Sequence, residues 1–422
     1  MGKHSRSAAS HGAPSLQYPG RRTLLFAACA GVAASAWPGR AWAQCDSPTG
    51  DTSLLPQPSG RVLRVTAGDP LLSLAATARA ARDGDTIEVE AGDYLGDVSA
   101  WQQSDLTIRG IGRRPRLIAE GKSAEGKGIM VLRGKRVRIE NLEFRGARVR
   151  DRNGAGIRLE NGPLTVSNCV FADNENGILT GNLTANEITI DNSTFEGNGN
   201  SEGSAHNLYV GTVARLQVVG CYFGRSKVGH LLKSRAMVNS VMYSRLTCED
   251  GSSSYELEFP NGGEALVLGN LVQQGAASEN ATIVSYGAEG YRWSDNTLSM
   301  AFNTLVNERP KGATFVRVNK GARQVELVNN VLVGSGSMSI NAPLVSRGNV
   351  EAARMEFADP AKFDYRLRAS SRLVGRAGFR GTRETEPGLP QREYEHPASS
   401  CPLEGVTALT PLSPGAFQRI AL

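Results

Sequence analysis

The chain has 422 residues, 40% of them hydrophobic, with 47 Lys and Arg against 41 Asp and Glu. Five of the basic residues, Lys3, Arg6, Arg21, Arg22 and Arg40, lie in the first 43, which hold no acid; the 42 basic and 41 acidic residues that follow nearly cancel. That balance excludes global electrostatic steering towards nucleic acid.

In chain order, the first feature is a leader. Arg21-Arg22 precede an apolar stretch from Leu24 to Ala34, and Ala41-Trp42-Ala43 places small residues where a signal peptidase reads them. Residues 1–43 therefore read as a twin-arginine signal peptide, although Gly20 stands where Ser or Thr is usual. The stretch is too short to span a bilayer of about 30 Å. With Gln44 before Cys45 there is no lipoprotein box, and no later segment is apolar enough for a membrane anchor. The expected location is periplasmic or extracellular. Residues 44–60 read as an N-terminal extension, 61–350 as the body of the fold and 351–422 as a closing segment. Of the five cysteines after the leader, Cys45 and Cys401 lie near the two ends and could clamp them together.

One pattern recurs along the body. It reads Ile139-Glu-Asn141-Leu-Glu-Phe144, Val166-Ser-Asn168-Cys-Val-Phe171, Ile190-Asp-Asn192-Ser-Thr-Phe195, Val218-Val-Gly220-Cys-Tyr-Phe223 and Val241-Met-Tyr243-Ser-Arg-Leu246, with weaker copies centred on Asn270, Asp295 and Asn329. The centres lie 23–34 residues apart. Each copy alternates with period two, as a strand with one buried face does, and no helix-length segment separates the copies. A unit this short cannot bury its apolar face alone, so stacked coils must form a solenoid. A second family of segments, from Gly156–Glu160 and Gly177–Thr180 through His206–Val210, His230–Arg235, Tyr255–Phe259 and Thr282–Tyr286 to Phe315–Val318, predicts a further parallel sheet. The recurrent Asn141, Asn168, Asn192, Asn270 and Asn329 predict an internal amide ladder. Cys169 and Cys221, two coils apart, are too distant for a disulfide and read as core thiols.

Alternation in the second family sends Ile157, Leu159, Leu208, Val210, Leu232, Leu257 and Phe259 inward. Arg158, Glu160, Asn207, Tyr209, Lys233, Arg235, Glu256 and Glu258 then face out. His206 and His230 open successive strands, and Asn261 begins the turn after the acidic pair. Ordinary cross-strand charge pairing is one account of this wall. Its concentration of His, Tyr, Lys, Arg and Glu in three coils favours a functional site.

Gly84-Asp-Thr-Ile-Glu-Val-Glu-Ala-Gly-Asp-Tyr94 resembles the opening of pectin-lyase-like parallel β-helix proteins, and Asp359–Leu367 and Pro414–Gln418 resemble that superfamily's closing segments. The resemblance implies an all-β, single-stranded right-handed parallel β-helix, with a short N-terminal capping helix over Leu71–Arg82. Lys233-Ser-Arg-Ala-Met-Val-Asn239 is similar to a segment of the alginate lyase and chondroitinase B family, in which the lysine is the base and calcium neutralises the substrate carboxylate. Carried over by position, Lys233 is the base. Ser226 and Val228 stand where acidic calcium ligands are expected, and Pro260 where an arginine is.

Three functions follow as expectations. The first is a polysaccharide lyase acting beside a uronate, with Lys233 as base, Arg235 as carboxylate neutraliser and Tyr209 or His230 as acid. The second is a glycoside hydrolase or epimerase using Glu256 and Glu258. The third is a non-catalytic glycan-binding protein. His206, Asn207, Arg158, Glu160 and Asn261 are the expected substrate contacts. The expected partner is a polysaccharide, with no nucleic acid, for a monomer. No cofactor is expected, with Ca²⁺ held through Glu256 and Glu258 as the alternative.

Overall fold

A computed structural model describes residues 60–378, 388–406 and 410–421. The leader over 1–43, its cleavage site and nearly all of the 44–60 extension lie outside them. Among the described residues, three all-parallel sheets run side by side. The first has twelve strands, from Val62–Val65 to Leu344–Arg347; the second has eleven, from Asp93–Leu95 to Val350–Ala352; the third has ten, from Ser99–Trp101 to Gly336–Ile340. The chain visits them in that order in every full coil, so each strand pairs with the equivalent strands one coil before and after. This is the right-handed parallel β-helix. The first recurring pattern spans two sheets, because its central residue is the bend between them.

At that bend the backbone is left-handed: φ is +53° at Asn141, +52° at Asn168, +45° at Asn192 and +52° at Asn329. Asparagine tolerates this conformation better than most residues. Tyr243 and Phe302 hold the same position at φ +48° and +51°. Their rings are packed beneath the C-terminal segment, against Leu412 and its neighbours, and this packing offsets the local strain.

The asparagine ladder divides in two. Asn270 sits one residue beyond the bend, in an interior column with Asn303, Asn330 and Asn349. Each Nδ2 donates to the next Oδ1, at 3.0, 2.9 and 2.8 Å. The same nitrogens reach carbonyls of the preceding coil, as from Asn270 to Val241 at 2.8 Å. Asn141, Asn168, Asn192 and Asn329 occupy the bend itself and are not part of that ladder. The copy expected at Asp295 is also displaced. Asp295 lies in a loop, and the bend of that coil falls at Phe302.

The second sheet contributes a column of stacked rings, Phe144, Phe171, Phe195 and Phe223, at centroid separations of 5.0, 4.7 and 4.7 Å. These match the spacing between coils of about 4.8 Å. Cys169 and Cys221 are buried free thiols, as is Cys248; burial pushes the Cys169 thiol up to about 12 and Cys221 still higher. Cys401 is disulfide-bonded, and its expected partner Cys45 lies outside the described residues.

The capping helix is Leu74–Ala80, shorter than expected. Ser73 accepts the Ala76 N–H at 3.1 Å, and the Asp97 carboxylate accepts those of Leu74 and Ala75. These bonds satisfy amides that a helix start leaves open. At the other end, the hairpins Phe357–Leu367 and Arg392–Pro402 cover the outside of the second sheet, burying Tyr222, Leu271, Val306 and Val331. The outer face of the third sheet receives no such cover from them. No helix among the described residues is long and apolar enough to cross a membrane.

Candidate functional site

Three consecutive strands of the third sheet, Leu208–Val210, Leu232–Ser234 and Leu257–Phe259, are only three residues long. Their end residues point into the core. Their central residues, Tyr209, Lys233 and Glu258, stand in register on the outer face. Arg235 follows one residue beyond its strand. Asn261 lies in the next turn, and Glu289 in the loop 287–296 of the coil after that.

These groups form one network. Lys233 Nζ lies 2.9 Å from Glu258 Oε2 and 2.8 Å from Glu289 Oε1. Arg235 reaches Glu289 Oε2 at 2.7 Å and Asn261 Oδ1 at 2.5 Å, and its Nε donates to the Tyr209 hydroxyl at 2.9 Å. His230 Nε2 meets Glu258 Oε2 at 2.9 Å. The His206 ring stacks on Tyr209 at 5.5 Å, and its Nδ1 accepts the His230 backbone N–H at 3.0 Å. The side chains of Lys233, Arg235 and Glu289 are 11%, 18% and 44% exposed, which makes this a shallow, half-desolvated patch.

Two residues expected on the wall are inside. Glu256 is 0% exposed; its carboxylate accepts from Ser253 at 2.9 Å and Ser278 at 3.2 Å. Asn207 is also fully buried, in an amide ladder with Asn174 and Asn198. Both precede the first residue of their strand, at the corner where the chain arrives from the second sheet. Alternation does not extend past a strand's end, so the expected outward direction fails there. Lys233, Arg235, Glu256 and Glu258 therefore do not make the expected square; Glu289 holds the fourth place. Arg158 and Glu160 pair with each other at 2.8 Å, and Glu160 with Lys127 at 3.1 Å. The Leu179 coil separates this pair from Tyr209.

The charge states follow from these contacts. Burial opposes the Lys233 ammonium, but Glu258 and Glu289 outweigh it and raise its pKa. Burial likewise opposes the Glu258 carboxylate, and His230 and Lys233 outweigh it and lower its pKa. The hydrogen bond from Arg235 is the main reason that Glu289 falls to about 2. Burial depresses both histidines, His206 strongly. With Glu258 on one ring nitrogen, His230 Nδ1 has no hydrogen-bond partner among the described residues. Lys233 is thus held as a cation, which fits charge neutralisation better than the base role expected of it. Glu256 and Glu258 do not converge on one point, and Glu258 already bears two nitrogen partners, so the pair does not fit Ca²⁺. No cluster of three or more His, Cys, Asp or Glu suited to a metal occurs among the described residues.

Glu256 gives a pH prediction. Burial raises its carboxyl well above the usual range. A raised pKa contributes stability below the unfolded value, near 4.3, and that contribution is lost as pH rises towards the folded value. Glu256→Gln cannot ionise and so escapes the loss. Urea unfolding should show the variant gaining steadily on the parent as pH rises from 4 to 7. An unchanged difference across that range contradicts the buried, proton-retaining carboxyl.

No family model matches the chain. Among solved structures, pectate lyase Pel9A aligns with a TM-score of 0.55 and 13% identity, over 85% of this chain and 96% of that one. ORF18 of Geobacillus virus E2 gives 0.44 and 15%, over 70% and 62% of the respective chains. The A-module of the Azotobacter vinelandii mannuronan C-5 epimerase AlgE6 gives 0.40 and 16%, over 69% and 88%. At this identity the pectate lyase likeness is one of fold, the parallel β-helix.

Proposed function

We propose that this chain binds a uronate-containing polysaccharide along the outer face of its third sheet and cleaves it by β-elimination. The observation that carries the reading is that Lys233 and Arg235 converge on one carboxylate, while the same Arg235 holds the Tyr209 hydroxyl. Elimination beside a uronate needs a neutraliser for the sugar carboxylate and a proton carrier next to it. Lys233 and Arg235 neutralise the carboxylate and so acidify the adjacent C5–H. Tyr209, its oxygen bonded by Arg235, takes the C5 proton in its ionised form. The C–H electron pair becomes the C4=C5 double bond, the C4–O bond breaks, and the leaving oxygen recovers a proton from the phenol. His206 stacks on the Tyr209 ring and fixes its plane.

The hydrolase alternative needs one protonated carboxyl and one ionised carboxylate on the wall. Glu258 and Glu289 are both held ionised by their cationic partners, and Glu256, which keeps its proton, is inside. In this reading the leader over 1–43 delivers the protein across the inner membrane, where polysaccharide is met.

The test is a panel of uronate-containing and neutral polysaccharides, assayed together for unsaturated and for reducing ends. Equal release of both from a polyuronate is expected. Reducing ends without unsaturation would overturn elimination. C5 inversion without chain cleavage would make the chain an epimerase, and binding without product would make it a glycan-binding protein.

A further inference from the structure

We propose that Lys233, Arg235 and the Tyr209 hydroxyl form a preorganised seat for a single carboxylate, that Glu289 fills this seat in the resting protein, and that a substrate uronate enters by displacing it. The inference rests on the uronate reading above and adds a resident competitor to it.

Glu289 belongs to an unusual segment. The connections from the third sheet back to the first are two residues long after Val210, three after Ser234 and four after Phe259, but ten after Tyr286. This long loop folds back over the preceding coil instead of running on. Its backbone is fixed there: Glu289 N–H donates to the Pro260 carbonyl at 2.9 Å, Arg292 N–H to that of Asn261 at 3.0 Å, and Asn261 Nδ2 to that of Gly290 at 3.1 Å. Gly287 and Gly290, at φ +77° and +84°, provide the left-handed corners that the fold-back requires. The loop thus delivers one carboxylate, with one oxygen on Lys233 and the other on Arg235.

Both cations are anchored without it. Glu258 holds Lys233 from the sheet, and Asn261 and Tyr209 hold Arg235. Withdrawing Glu289 therefore leaves the two cations aimed at the place its carboxylate vacates. Glu289 is also the most exposed of the three side chains, and its backbone bonds do not involve the carboxylate. Rotation of one side chain into solvent opens the seat, with no movement of the loop. A seat open for only a fraction of the time weakens apparent affinity by that fraction, so one open about a tenth of the time binds about tenfold more weakly than its intrinsic strength.

The experiment compares the whole mature protein with Glu289→Gln and Glu289→Ala, by calorimetric titration with galacturonate and mannuronate oligosaccharides. Glu264→Gln, an exposed carboxylate on the first sheet, controls for the change in net charge. About tenfold or greater tightening in both Glu289 variants, with less than about twofold in Glu264→Gln, is the expected result. In the cleavage assay KM should fall in both Glu289 variants. Equal or weaker binding in the Glu289 variants overturns the proposal and identifies Glu289 as a structural partner of the cations. Polyuronate cleavage by the parent without tightening in the variants rejects the competitor and leaves elimination intact. Tightening without any unsaturated product keeps the seat and rejects elimination.

Discussion

Tyr209→Phe is expected to lower turnover on a polyuronate by about 10²–10⁴-fold while leaving substrate binding within a few-fold of the parent. The substitution removes one oxygen and keeps the ring that stacks on His206, so the wall and its charges persist. The split is informative because Arg235 retains Asn261 and Glu289 when its bond to the hydroxyl is lost. A variant that turns over within a few-fold of the parent removes Tyr209 from proton transfer. Single-turnover measurement of unsaturated ends, with oligosaccharide binding measured in parallel, reads both quantities.

Lys233→Met should cost about 3–5 kcal/mol of stability, because it leaves Glu258 buried with His230 as its remaining partner at the wall. Removing one member of a buried pair is expensive chiefly through the charge left behind, whereas replacing both members by apolar residues is often near neutral. Adding Glu258→Leu to Lys233→Met should therefore restore most of the loss, giving a large favourable coupling in a double-mutant cycle. Urea denaturation of the four proteins measures it. A Lys233→Met variant as stable as the parent would mean that the pair behaves as an exposed one worth under about 1 kcal/mol. Both Lys233 variants should also lose affinity for polyuronate, since half of the carboxylate seat is gone.

The coil architecture was legible because its signal is repetitive. Alternation, bend residues and the return of aromatic residues at Phe144, Phe171, Phe195 and Phe223 reinforce one another over several coils. Copies became unreliable where other residues took over the bend. Tyr243 and Phe302 adopt left-handed backbone where the C-terminal segment packs over their rings, a tertiary contact that no local pattern contains. The loop before Thr297 added length to one coil, and Asp295 imitated a bend that belongs to Phe302.

The wall was legible only in part, for a geometric reason. In a strand of three residues a single central side chain is sure to face out. Tyr209, Lys233 and Glu258 are those residues, and alternation placed them together. Extending it by two residues worked for Arg235 and failed for Asn207 and Glu256, which sit at the opposite, tightly turned corner. Glu289 was missed because it comes from a connection whose path depends on main-chain bonds to Pro260 and Asn261. The one available hint was the unusual length of that coil. The base role expected of Lys233 rested on a motif; two carboxylates surround its ammonium, and the proposed elimination therefore gives it neutralisation and gives proton transfer to Tyr209.

Recognition of a sugar carboxylate by Lys233 and Arg235 is tested most directly by one comparison. A polyuronate and the same polymer with its carboxyl groups chemically reduced to alcohols are offered to the protein in parallel, at low and at raised ionic strength. The acidic polymer should be bound and cleaved, with binding that weakens as salt is added, and the reduced polymer should be left untouched. Equal binding or cleavage of the two would contradict the account, whatever products appeared.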